Sequence, residues 1–160
     1  MAVDMFIKID GVKGEAHDDK HKDEIDVLAW SWGASNSGSM STGGGGGSGK
    51  VNVQDISLTK YVDKSSPLLL GKCCQGAHIS TATLTVRKAG TNPLEYIKLT
   101  LSEILVSSIS TGGSGGADRL TENITLNFAK FKIEYTPQKA DGSAEGAVPY
   151  AYDLKANKPC

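Results

Sequence analysis

Residues 106–128 read VSSISTGGSGGADRLTENITLNF, and this stretch decides the fold. The first five residues have the composition of a strand, and a glycine-rich turn and a polar cluster follow them. Ile124, Leu126 and Phe128 then alternate with polar residues, which predicts a strand with one buried and one wet face. A generic hairpin needs a connection of only about two to five residues. The longer connection here is therefore a family-specific feature of a β-rich fold.

The same alternation recurs along the chain and predicts a mainly β protein. Apolar residues alternate with polar ones in four further segments, at Val3, Met5, Ile7 and Ile9, at Ala82, Leu84 and Val86, at Ile97, Leu99 and Leu101, and at Val148, Tyr150, Tyr152 and Leu154.

The strand that contains Ile124 changes its apolar phase partway along. Its apolar positions are even-numbered up to Phe128 and odd-numbered from Phe131 onward. One extra residue at Ala129 or Lys130 would produce this change, so we predict a β-bulge there. A bulge bends a long strand and helps a sheet to close into a barrel.

One helix is predicted around residues 67–75. Ser65 and Ser66 offer a hydroxyl cap ahead of Pro67, a residue favoured at the first helical position. Gly76 is placed to end the helix. We expect about ten helical residues that cover one open side of the barrel. The predicted apolar face of the helix comprises Leu68, Leu69, Leu70, Cys73 and Cys74.

Length and charge predict a single domain over residues 1–160, long enough to bury a core. The formal net charge of −1 provides no basic excess to attract nucleic acid or an anionic membrane surface. No apolar run approaches the roughly 18 residues of a membrane span, and the first residues lack the pattern of a signal peptide. We expect neither a nucleic-acid partner nor membrane insertion.

Two motifs imitate ligand sites. Residues 44–50, GGGGSGK, fit the pattern of a phosphate-binding loop, but Val51 stands where such a loop needs Ser or Thr, and a strand pattern follows. His17 and His21 lie among acidic residues without the periodicity that would place both on one helical face, so we interpret this segment as a solvated polar loop. We find no nucleophile or metal set beside an orienting base, and predict a protein that is not an enzyme, with no cofactor and no metal.

Three segments besides residues 106–128 carry a resemblance to a known family. They are the opening MAVDMFIKI, the LAWSW of residues 28–32 with the glycine run after it, and VNVQDISLTKY at residues 51–61. Together they closely resemble the Hcp family, the haemolysin-coregulated tube proteins of bacterial type VI secretion. The resemblance extends from Met1 to about Lys139 and weakens after Asp141.

The resemblance implies a compact β-barrel of two antiparallel sheets with one flanking α-helix. It further implies a homohexameric ring, stacking of rings into an expelled inner tube, and effector proteins carried in the channel. Sheath and spike components of the secretion machine would be the other partners. Such a protein is made in the bacterial cytoplasm and is secreted without a signal peptide, consistent with the N-terminal residues of this chain.

Functional residues are predicted at four places. Trp30 and Trp32 share a face with Leu28 and are interpreted as core aromatics. The small residues on the opposite face of this strand are expected to line the channel and touch effectors. An acid and a guanidinium beside the Gly112–Gly116 turn could pair across a subunit boundary. The assignments are Ala29 and Ser31 to the channel wall, Gly43, Gly44, Gly45, Gly46, Gly47 and Lys50 to a ring-stacking loop, Asp118 and Arg119 to the subunit interface, and Cys160 to an inter-ring cross-link.

Two alternative functions are open at this point. One is a monomeric barrel that binds a carbohydrate or peptide through exposed Trp30 and Trp32. The other is a phage-type tail tube protein, which shares the barrel and the ring. The cysteines decide nothing, because Cys73 and Cys74 are adjacent and a bridge between neighbours is strained.

Overall fold

The computed structural model describes residues 2–38, 40–41 and 48–160. This part of the chain is mainly β, as predicted. Its elements in chain order are β1 (Val3–Ile9), β2 (Ile25–Ser31), β3 (Ala34–Gly38), β4 (Ser48–Val53), β5 (Ile56–Tyr61), α1 (Ser65–Gln75), β6 (Ile79–Lys88), β7 (Glu95–Thr111), β8 (Thr121–Tyr135), β9 (Val148–Asp153) and β10 (Lys158–Pro159).

The main sheet closes on itself as an antiparallel barrel. Its strands follow one another in the order β8, β5, β2, β1, β6 and β7, and pairing of β7 with β8 completes the circle. β9 pairs with β8 outside this circle, and β10 pairs with β9. β3 and β4 form a separate two-stranded sheet. Closure removes the free edges that would otherwise invite uncontrolled pairing of strands.

β8 holds the fold together because it changes partner along its length. Its first part pairs with β5, as in Ile56 opposite Leu126, and its last part pairs with β9, as in Lys130 opposite Asp153. β7 follows it on the other side from end to end. The long turn of residues 112–120 joins these two longest strands, which explains why the sequence around it is so distinctive.

The predicted bulge at Ala129 or Lys130 is wrong. The register of β7 and β8 is unbroken there, with Phe128 opposite Ile104 and Lys130 opposite Ser102. In both strands the buried positions change from one parity to the other at this point. Glu103, which lies on β7 opposite this point, adopts a left-handed backbone with φ 54°. The register shift lies in β7 instead, between Val106 and Ser108.

Helix α1 begins earlier than predicted. It starts at Ser65, and Lys64 at the cap position makes no side-chain cap hydrogen bond. The predicted hydroxyl cap is therefore wrong, and the Asp63 carboxylate accepts from the Ser65 backbone N–H at 2.9 Å instead. The helix ends as predicted, because Gly76 takes the left-handed conformation with φ 60° that glycine adopts at low cost.

The predicted apolar face of α1 is only partly buried. Leu69 is fully buried and Cys73 packs against the core. Leu68, Leu70 and Cys74 are exposed, contrary to the prediction. Three consecutive leucines span too wide an arc of a helix for all of them to face one barrel. Among the described residues, no helix is long and apolar enough to cross a membrane.

A buried ion pair joins α1 to the barrel. Lys60 on β5 and Glu122 on β8 are almost completely buried and face each other in register. Lys60 Nζ donates to Glu122 Oε1, and Thr111 Oγ1 donates to Glu122 Oε2 at 2.9 Å. Burial alone would raise the pKa of Glu122, but hydrogen bonds from Lys60, Ser66 and Thr111 outweigh it and lower that pKa. Ser66 belongs to α1, so the pair fixes the helix in place.

Candidate functional site

One patch on the outer surface of the barrel, across four strands, carries only small side chains. β2, β5, β8 and β7 lie side by side, and one row across them, Trp30, Leu58, Ile124 and Ile109, faces the core. Because side chains alternate along a strand, the neighbouring rows face outward. These rows form what we call the polar face, namely Ala29, Thr59, Asn123 and Ser110 in one row and Ser31, Ser57, Thr125 and Ser108 in the other.

The polar face contains no ionisable side chain and no large apolar one. Its hydroxyl and amide groups bond to one another across strands. Thr59 Oγ1 donates to Asn123 Oδ1 at 2.7 Å, and the hydroxyls of Ser108 and Thr125 lie 2.6 Å apart. Four strands at about 4.8 Å spacing make a strip roughly 15 Å wide. The result is a polar and uncharged surface that is exposed to solvent.

Each end of the polar face is marked by charged groups. At one end, the carboxylate of Asp55 accepts from Ser107 Oγ at 2.6 Å and from Asn127 Nδ2 at 2.8 Å. At the other end, the Arg119 guanidinium lies over the Tyr61 ring, 3.7 Å from its centroid. Burial raises the pKa of Asp26 at this second end, while the charge of Arg119 acts to lower it.

Ala29 and Ser31, the predicted channel-wall residues, both lie on the polar face and are exposed. Trp30 and Trp32 pack against the core as predicted. Leu28 does not share their face, because the pairing of β2 with β5 shifts between Val27 and Ala29. This irregularity leaves Leu28 39% exposed, and alternation alone could not reveal it.

Asp118 and Arg119, the predicted interface pair, are both exposed. They form no ion pair with each other, since Arg119 stacks on Tyr61 instead. Arg119 thereby lies next to the polar face, which the sequence did not predict. The assignment of both residues to a subunit boundary remains a prediction.

The predicted stacking loop lies largely outside the described residues, which exclude positions 43–47. Lys50 is described and is exposed on β4. Val51 follows it within the same strand. The sequence pattern predicted a strand here, which was one reason against a phosphate-binding loop. Cys160 is exposed, and its backbone N–H donates to the Ala151 carbonyl at 3.2 Å.

The segment predicted as a solvated loop is largely exposed, but part of it packs on two strands of the barrel. Residues 12–24, here called the covering loop, lie over β1 and β6, where Phe6 and Arg87 are buried beneath it. His21 is only 7% exposed, so the prediction is wrong for this residue. Its ring stacks on Phe6 with centroids 4.6 Å apart and planes 9° from parallel.

Ionic contacts fasten the covering loop. The two ring nitrogens of His21 lie 2.8 Å from Glu24 Oε2 and 2.7 Å from Glu95 Oε1. Arg87 Nη1 donates to Asp18 Oδ2 at 2.9 Å, and this side chain also lies over the Phe6 ring. Within the described residues, no group of three or more His, Cys, Asp or Glu side chains is arranged to hold a metal ion.

Comparison with known proteins agrees with this architecture. Residues 6–135 match the family model described as "Type VI secretion system effector, Hcp". The chain belongs to the Hcp family. Protein hcp1 of Pseudomonas aeruginosa strain PAO1 is 66% identical over 159 residues, covering 98% of each chain. As a member of this family, the chain is a tube protein of the type VI secretion system and has a structural role.

Solved Hcp structures share the fold over the whole chain. A structure described as a type six secretion system protein has a TM-score of 0.94 at 34% identity, covering 99% of this chain and 100% of its own. Hcp1 from Salmonella typhimurium has a TM-score of 0.83 at 41% identity, with both chains fully covered. The fold of this chain is thus similar to both of these structures over its whole length.

Proposed function

We propose that this Hcp chain assembles into a homohexameric ring whose inner wall is the polar face, and that effector proteins travel in the channel. The observation that supports this is the absence of charged and large apolar side chains from two complete rows across four strands. A wall of small hydrated side chains lets a protein pass without tight adhesion, because exposed apolar patches are what make surfaces stick.

The ring is supported by membership of the Hcp family. A cyclic hexamer uses two different patches on each subunit, which meet head to tail. Asp118 and Arg119 are proposed to belong to one of these patches, and the stacking of rings to involve Lys50 and the glycine run at residues 43–47. Sheath and spike components would contact the outside of the tube, and the tube would leave the cell with its cargo.

The first test is the native mass by size-exclusion chromatography with light scattering. The proposal expects a species near six times 16.8 kDa at micromolar protein concentration. A clean monomer would contradict it and favour the ligand-binding barrel. Larger species that disappear with reductant, and that persist in Cys74→Ser but not in Cys160→Ser, would assign Cys160 to the bond between rings.

The wall is tested by Ser31→Gln, which places a longer side chain on the polar face. We expect hexamers to persist while the amount of co-expressed effector retained by the rings falls, because the new side chain narrows the channel. Thr81→Gln, an exposed strand position in the other half of the barrel, is the matched control. If Ser31→Gln left both assembly and effector retention unchanged, the polar face would not be the channel wall.

The stacking loop is tested by shortening residues 43–47 by three glycines. We expect the hexamer to form with unchanged thermal stability and tubes seen by electron microscopy to become fewer and shorter, because contacts between rings are lost. Tubes of normal length would count against the assignment of this loop to stacking.

A further inference from the structure

Asp55 sets the charge at one end of the polar face. It precedes β5, and its two carboxylate oxygens accept one hydrogen bond each, from Ser107 on β7 and from Asn127 on β8. Ser107 also lies 2.7 Å from the Thr125 hydroxyl, which belongs to the polar face itself. The carboxylate is thus held by donors from two adjacent strands and continues the hydroxyl network of the face.

This negative charge is not offset by a cation. Among the described residues, no lysine, arginine or histidine nitrogen lies within 4.0 Å of the Asp55 carboxylate. Its two partners are neutral donors, which fix the orientation of the carboxylate and leave its full charge in place. Asp55 is half-buried, so one side of it remains open to solvent.

The opposite end of the face is different. Tyr61 lies six positions along the extended chain from Asp55, which corresponds to about 20 Å. The charge of Arg119 over Tyr61 acts on Asp26, so a cation and an anion lie near each other at that end. At one end of the polar face, the Asp55 carboxylate therefore has no cation in contact with it. At the other end, Arg119 and Asp26 carry opposite charges.

We propose that Asp55 is a specificity-determining residue of the polar face, which favours cargo segments that carry lysine or arginine. The inference rests on the proposed function, because a hexamer would place six such carboxylates at one level of the channel. One exposed charge pair is weak in water and is screened beyond about 10 Å at ordinary salt. Six carboxylates around one opening act together on a cationic segment that passes between them.

The test uses the assembled full-length protein and two rhodamine-labelled peptides, a tetralysine and a tetraglutamate. Binding is followed by fluorescence anisotropy at about 20 mM and about 150 mM salt. We expect Asp55→Asn to weaken tetralysine binding about threefold or more at low salt, and to leave tetraglutamate binding unchanged or stronger. Asp19→Asn, which removes the same charge from an exposed position of the covering loop, should change tetralysine binding much less.

A second variant separates the charge from the hydrogen bonds. Ser107→Ala removes one donor to Asp55 and keeps the carboxylate, so tetralysine binding should persist. Equal weakening by Asp55→Asn and Asp19→Asn would overturn the proposal, since it would show an effect of net charge alone. Unchanged tetralysine binding in Asp55→Asn with hexamers intact would also overturn it. Failure of the unmodified chain to form hexamers would instead contradict the proposed function.

Discussion

The two halves of the barrel's outer surface are built in opposite ways. On the polar face, eight small side chains from β2, β5, β8 and β7 are left bare and none of them is charged. On β1 and β6, the outward side chains include Phe6 and Arg87, and the covering loop buries both. The strands of both halves alternate in the same way, so the difference lies in what the outward positions carry.

This difference separates a surface that binds a segment of its own chain from a surface that is left exposed. The covering loop is held by contacts that need partners, which are the stacking of His21 on Phe6 and the ion pairs of Arg87. Residues of these types would bind other molecules if they were exposed. The polar face has none of them, and the proposed movement of cargo past this surface requires their absence.

The largest effect is expected when the Arg87 side chain is removed. Arg87→Ala leaves Asp18 and Asp4 without their cation and uncovers one face of Phe6. We expect the free energy of unfolding to fall by about 2–3 kcal/mol, because the buried Arg87 side chain loses its packing against Phe6 and its contacts with two partly exposed carboxylates. Urea unfolding followed by circular dichroism measures this.

Lys98→Ala is the matched control for Arg87→Ala. Lys98 is an exposed cation on β7, and no carboxylate of the described residues lies within 4.0 Å of it. Its removal should change the free energy of unfolding by no more than about 0.5 kcal/mol. Equal losses in the two variants would mean that the covered half is held by charge balance alone.

Two residues of the polar face were predictable from the sequence because alternation is local. Ala29 and Ser31 follow from the pattern that places Trp30 and Trp32 in the core, and the end of α1 follows from Gly76 alone. Irregular points such as Leu28 were not predictable, since a register shift depends on the partner strand. A residue's neighbours along the chain do not specify its pairing.

The covered half was missed for a related reason. His21 is surrounded by charged residues in the sequence, which is typical of a solvated loop. It is buried through a contact with Glu95, 74 positions away, and through stacking on Phe6. The only local signal is the spacing of the buried residues Val12, Gly14 and Ala16, which alternate like a strand.

The next largest effect concerns the path of the covering loop. A Cβ at Gly14 would lie 2.5 Å from the Glu24 carbonyl oxygen and 2.8 Å from the Ile25 Cα. Both obstacles are backbone, so Gly14→Ala must push the loop off β2. We expect a loss of about 1–3 kcal/mol in the free energy of unfolding, measured by urea titration.

Gly112→Ala is the control at the turn that joins β7 to β8. No atom lies within 4 Å of a Cβ built there, and Gly112 is not among the glycines with positive φ. Stability should stay the same or rise slightly, because alanine loses less conformational freedom on folding. A destabilised Gly112→Ala together with a neutral Gly14→Ala would show that the loop, and not the turn, tolerates change.

The smallest effect is a local response of the covering loop to acid. The hydrogen bond from Arg87 holds the pKa of Asp18 below its ordinary value. A lowered pKa in the folded state means that the contribution of Asp18 is complete above about pH 5 and is lost as the pH falls through the lowered pKa. We expect the amide protection factors of residues 12–24, measured by hydrogen exchange, to fall between about pH 5 and pH 2 while those of Thr59 and Asn123 persist.

Asp18→Asn should give low protection of the loop at every pH. If the loop of Asp18→Asn kept the same dependence on pH, another carboxylate would control it, and the fastening of the covered half would not depend on the Asp18–Arg87 pair.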